Sequence, residues 1–191
     1  MRRFPLIATL IVALAVAAMI GLGVWQLQRM TWKDGLLNSY ASAQGLPSID
    51  WPVSPDPQHP PLFRRASADC ARVVDWRSGS GRNRAGEPGW VHIAECRTPA
   101  GADMQVVVGW SQRPDPVTWQ GGRVSGIIAP DSQHIIRLVS DRAAAGLEPA
   151  QPPSLDDVPN NHFAYAIQWF LFAGVAVAIY ILALRGRSRS A

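Results

Sequence analysis

The sequence holds 191 residues, with 18 Lys and Arg, 14 Asp and Glu, and a formal net charge of +4. The excess sits in two short tails: Arg2 and Arg3 with Arg185, Arg187 and Arg189 carry +5, while the stretch between them has 13 basic and 14 acidic residues, a net of −1. With no nucleic-acid motif present, this pattern excludes a nucleic-acid footprint and reads instead as membrane topology.

Phe4 to Trp25 is apolar apart from Thr9, and Phe163 to Leu184 is apolar apart from Gln168. Each run is long enough to cross a ~30 Å hydrocarbon core as a tilted helix. A helix is the one single-segment structure that satisfies its own backbone in lipid. Ala15-Val16-Ala17 resembles a signal-peptide cleavage site, but the apolar run continues past it, so a retained span is expected. The basic tails then place both termini in the cytoplasm and residues 26–161 outside it, in the periplasm of a bacterial inner membrane. That middle segment is long enough for one core. Its compartment is oxidising, which allows Cys70 and Cys96 to pair.

Residues 26–37 lack Pro and continue the first helix beyond the lipid. Trp25, Arg29 and Trp32 fall on one helical face. Two readings stand: a basic residue snorkelling to lipid phosphates within an aromatic belt, or an Arg29 that faces an anionic ligand. Six prolines between 44 and 61 mark an extended segment. Cys70–Trp76 and Trp90–Cys96 read as two strands. Antiparallel pairing with Trp76 opposite Trp90 brings Cys70 opposite Cys96, within reach of a disulfide; two buried thiols are the alternative. Arg77 to Gly89, rich in Gly and Arg, reads as a solvated loop, with partner docking as its second reading. Further strands are expected at Asp103–Gly109, Gly122–Ala129 and His134–Val139. A short helix is expected at Asp141–Ala145, ended by Gly146. A Pro-rich return, Pro149 to Pro159, leads to Asn160 or Asn161 as the cap of the second span.

The chemistry concentrates at the start of that span. His162, Tyr165, Trp169 and Phe172 recur at helical spacing, and a neutral imidazole at a membrane threshold can ligate a metal or a haem iron. The bland reading is a helix-end His beside ordinary interfacial aromatics. Gln168 reads as polar glue between the spans. His59, His92 and His134 are isolated. No HExxH, GxSxG or paired-carboxylate motif appears, so the chain reads as a non-enzyme.

Leu22-Gly23-Val24-Trp25-Gln26-Leu27-Gln28-Arg29-Met30-Thr31-Trp32-Lys33 resembles the opening motif of the Surfeit locus protein family, assembly factors for cytochrome c oxidase. Asn161-His162-Phe163-Ala164-Tyr165-Ala166-Ile167-Gln168-Trp169-Phe170 looks like its closing motif. Gly86-Glu87-Pro88-Gly89-Trp90 and Val106-Val107-Val108-Gly109-Trp110 are similar to its central turn and core strand. Val108 departs from the pattern, standing where the family usually has Arg.

The resemblance implies a non-enzymatic role in maturing oxidase subunit I, at the step of haem a insertion, with the haem a biosynthesis enzymes as further partners. It implies His162 as axial ligand of the haem iron. Tyr165 and Trp169 would hold the macrocycle, and Trp25 and Arg29 would complete the site, with Arg29 and Lys33 near the propionates. A scaffold that holds nascent oxidase subunits and never contacts haem is the alternative. The expected architecture is an α+β membrane protein with two transmembrane helices flanking one mainly antiparallel β extracytoplasmic domain. Its parts are 1–25 (cytoplasmic start and first helix), 26–161 (β-rich domain), 162–184 (second helix) and 185–191 (basic cytoplasmic tail).

Overall fold

The structure, a computed structural model, describes residues 6–115 and 117–189. The chain divides into two compact units, Met1–Leu37 with Pro159–Ala191, and Asn38–Val158.

The first unit is a helix pair. Helix α1 runs Leu6–Gln44 and helix α2 runs His162–Arg189. Both are long and apolar enough to cross a membrane. Thr9 at the start of α1 bonds Tyr180 late in α2 at 2.5 Å, so the helices run antiparallel. Between Thr9 and Gln26 the shielded positions of α1 are Thr9, Val12, Val16, Met19, Gly23 and Gln26, alternating by three and four. Between His162 and Tyr180 those of α2 are His162, Ala166, Trp169, Ala173, Ala176 and Tyr180, with the same alternation. This is the 3.5-residue repeat of a coiled-coil seam. Small residues let the helices approach closely. Gly23 shows how close: a Cβ there would stand 2.6 Å from the Phe170 ring. Gln168, read as glue between the spans, lies off the seam and is exposed. The cross-helix polar contacts come from Thr9 and, as shown below, Gln26.

The second unit is a seven-stranded sheet. Its strands are β1 (Ile49–Asp50), β2 (Arg65–Cys70), β3 (Arg72–Arg82), β4 (Pro88–Arg97), β5 (Asp103–Ser111), β6 (Gly122–Pro130) and β7 (Ile136–Ser140). Their spatial order is β1-β2-β6-β7-β5-β4-β3. The sheet is mixed, not mainly antiparallel as expected: β1 pairs parallel with β2, and β5 parallel with β7. Local alternation predicts strands but not which neighbour a strand meets after a crossover. Here the β6–β7 hairpin slots in beside β5 and sets the sense of that pair.

Strands β2 and β3 lie near opposite ends of this order, yet only Ala71 separates them. One residue spans at most ~3.6 Å, so the sheet curls until its two ends meet at that corner. Alternate side chains then face inward. Met104, Val106, Ile128, Ile136 and Leu138 are almost fully buried there, beside both cysteines. Val108 is 2 % exposed in the same interior, a place for an aliphatic side chain and not for a solvated charge.

Cys70 and Cys96 form a disulfide with Cα atoms 5.4 Å apart, as expected, but by a different route. Cys70 ends β2, not the strand beside β4, and it is Val73 that pairs with Cys96. Trp76 stands opposite Ala94, and Trp90 opposite Ser80. The bridge therefore fastens the corner where the sheet closes, beside the bond from the Ala71 N–H to the Arg97 carbonyl at 3.0 Å. The expected loop 77–89 is strand on both sides of a turn at 83–87. Its glycines misled: a Cβ on Gly81 would stand 2.6 Å from Val91, so the pairing demands glycine. No helix forms at 141–145, and strand β7 starts at Ile136, two residues after His134.

Two consequences can be measured. Replacing both cysteines by Ser removes a cross-link over a 26-residue separation, which lowers stability by about 3 kcal/mol; urea unfolding followed by Trp fluorescence reads it as a lower midpoint. His92 is buried and bonds Ser111 Oγ at 2.7 Å. Burial holds its imidazole below the ordinary value, against opposing effects of Asp115 and the Arg113 backbone. The unfolded chain therefore binds this proton more readily, and stability falls as pH drops from about 6.5 toward the lower folded value. The same unfolding experiment with His92→Gln is expected to show a shallower loss over that window.

Candidate functional site

The polar groups of the helix pair gather where α2 begins. Pro159 precedes the helix, and the Asn161 carbonyl accepts the first helical bond, from the Tyr165 N–H at 3.3 Å. Asn161 thus occupies the N-cap position, one of the two places expected. Asn160 serves differently: its Nδ2 donates to Asp34 Oδ1 at 2.7 Å. Lys33 Nζ donates to the Pro159 carbonyl at 2.5 Å. These two contacts tie α1 to the strand of chain entering α2.

His162 follows directly and is half-buried on the seam. Its Nδ1 lies 2.6 Å from Gln26 Oε1. An amide oxygen only accepts, so Nδ1 carries the proton and donates. The neutral ring then keeps its lone pair on Nε2, the nitrogen available to a metal. This is the arrangement by which ligating histidines are oriented, the far ring N–H held by a polar neighbour.

The aromatic residues do not share one environment. Trp169 is on the seam, while Tyr165 and Phe172 are 50 % and 56 % exposed. Trp169 meets Phe172 edge-on at 6.2 Å. On α1, Arg29 lies over the Trp32 ring with Cζ 3.9 Å from its centroid, a cation–π contact. Trp25 is 53 % exposed. Trp25 and Arg29 flank Gln26 in the same stretch of α1 but point away from the seam. Of the residues singled out from the sequence, the structure brings Trp169 and Phe172 together and stacks Arg29 on Trp32. It joins His162 to a residue not singled out, Gln26. The signal for Gln26 was in the sequence: Thr9, Gly23 and Gln26 follow the three–four alternation, so one amide was bound to face α2.

The hydrogen bond makes a direct prediction. Imidazole 15N resonances of His162 will report a proton fixed on Nδ1, and Gln26→Leu, lacking the acceptor, will let the ring exchange tautomers. An Nε2-protonated ring in the unaltered chain would contradict the assignment.

A search of the curated proteins returned no match. A model of the SURF1 family, the Surfeit locus 1 family, matches residues 13–174. The matched stretch takes in the seam from Val16 to Ala173, the whole β unit and the His162–Gln26 pair. It covers far more than half of the 191 residues, and membership is consistent with a role in cytochrome c oxidase assembly. The chain belongs to the SURF1 family.

Proposed function

We propose that this protein is a membrane-anchored assembly factor for cytochrome c oxidase that holds haem a through His162 and delivers it to subunit I. The observation that carries the reading is the His162–Gln26 hydrogen bond, because with Nδ1 engaged the Nε2 lone pair is free to bind a metal. Haem a is cargo in this scheme: its iron accepts an imidazole as axial ligand, and its apolar body needs a hydrocarbon-like surface. Tyr165 and Phe172 offer that surface on α2, next to Trp169. Trp25 extends it on α1, and Arg29 supplies a cation for a propionate.

A single protein ligand suits transfer, since hand-over then breaks one coordinate bond. Both basic tails lie in the cytoplasm under this proposal, the β unit lies in the periplasm, and His162 sits at the periplasmic surface of the inner membrane. The haem a biosynthesis enzymes would load the site.

The test is co-expression with those enzymes, purification and an absorption spectrum. The unaltered chain is expected to carry a haem a spectrum, and His162→Ala to lose at least nine-tenths of it while still inserting in the membrane. Full occupancy in His162→Ala removes the ligand role. No haem in the unaltered chain, with oxidase assembly still supported, favours the haem-independent scaffold.

A further inference from the structure

The sheet has an outer face that the haem proposal does not use. Strand alternation directs Val91, Val107, Ala129 and Val139 outward, away from the closed interior. They floor a cleft of about 330 Å³. Ser80, Gly81 and Arg82 of β3 form one wall, and the segment 150–154 forms another. Arg82 and Arg137 line it, and no Asp or Glu is among its lining residues.

Arg137 is the informative residue. Its Nε is buried without a hydrogen-bond partner. The carboxylate it approaches is Asp131, with Nη1 4.0 Å from Oδ2, beyond hydrogen-bond reach. That carboxylate is already engaged: Arg77 Nη2 donates to it at 2.5 Å, and the Gln133 and His134 N–H groups donate to its other oxygen. Burial pushes the Arg137 guanidinium below its ordinary value, opposed by Asp131 and reinforced by the positive charge of Arg77. The side chain keeps 30 % exposure, so only part of the fork is desolvated, but its nearest carboxylate is already taken, and the guanidinium is short of an oxyanion. Arg82 differs, donating to the Gly86 carbonyl at 2.6 Å, so its charge stays at the rim.

We propose that this cleft binds a free aliphatic carboxylate, its oxygens on Arg137 and its chain along Val91, Val107 and Val139. The apolar floor rewards each methylene removed from water. The size sets the chain: the cleft has the volume of about eleven waters at ~30 Å³ each, room for a carboxylate and a chain of about seven carbons. The site lies wholly within the β unit and does not depend on the haem reading.

The experiment titrates the full chain in detergent with hexanoate labelled with 13C at the carboxyl and follows that resonance. Wild type is expected to give a saturable shift above the micelle blank. Octanoate should compete more strongly than hexanoate, and hexanol and sulfate at equal concentration should not compete. Arg137→Gln should weaken binding at least tenfold. Gly79 pairs with Val91 and shares its face, and a Cβ there would stand 3.7 Å from Val91, an ordinary contact; Gly79→Trp therefore lays a ring over the cleft floor and should abolish the shift even if Arg137→Gln fails to fold. Unchanged binding in Gly79→Trp, or in a folded Arg137→Gln, overturns the site. Equal competition by sulfate reduces it to an anion patch, and equal competition by hexanol to a greasy cleft; either overturns the proposal.

Discussion

The hydrogen bond between His162 Nδ1 and Gln26 Oε1 is the interaction on which the reading of the helix pair depends. Apart from Met19 and Trp169, the apolar seam around it is made of Gly, Ala and Val, which permit close approach but specify little. Apolar faces of this kind can slide by a turn at small cost. Polar contacts at both ends, Thr9 with Tyr180 and Gln26 with His162, admit one register only. In a low-dielectric surrounding each is stronger than in water, and each unmade partner is costlier. The same bond fixes the proton on His162 Nδ1, so register and tautomer are set by one contact.

The helices were legible in the sequence because an apolar run of that length has one stable form in lipid. Most strands were legible too, from alternation and from the glycines and prolines between them. What was not legible was everything that depends on long-range closure. The parallel β5–β7 pair follows from where a hairpin inserts, which no local pattern encodes. Cys70 and Cys96 were paired correctly through the wrong geometry: proximity was inferred across a hairpin and arises at a corner. Gly81 read as loop because its role, giving way to Val91 on the next strand, exists only once that strand is in place.

At the site the sequence was partly informative. His162 stood out by type and position, and the aromatic spacing after it was real. Spacing alone could not separate the seam residue Trp169 from the outward Tyr165 and Phe172, because a helical stripe drifts across the interface. Gln26 was hidden by its neighbours: in a stretch with two glutamines and an arginine, only the repeat tells which one faces the partner helix. The β unit adds a second division of labour. Its inner face is a packed interior, while the outer face leaves the half-buried Arg137 guanidinium short of an acid, a condition that packing does not explain.

The corner at Ala71 constrains how this sheet can vary. Most turns between strands absorb extra residues as a longer loop at modest entropic cost. Here the chain passes directly from one end of the sheet to the other, and the disulfide grips the adjoining residue. An inserted residue would shift β3 against β4 by one place and exchange the two faces of that strand. Length variation across this architecture should therefore collect in the turn at 83–87 and the segment around Gly121, and spare position 71.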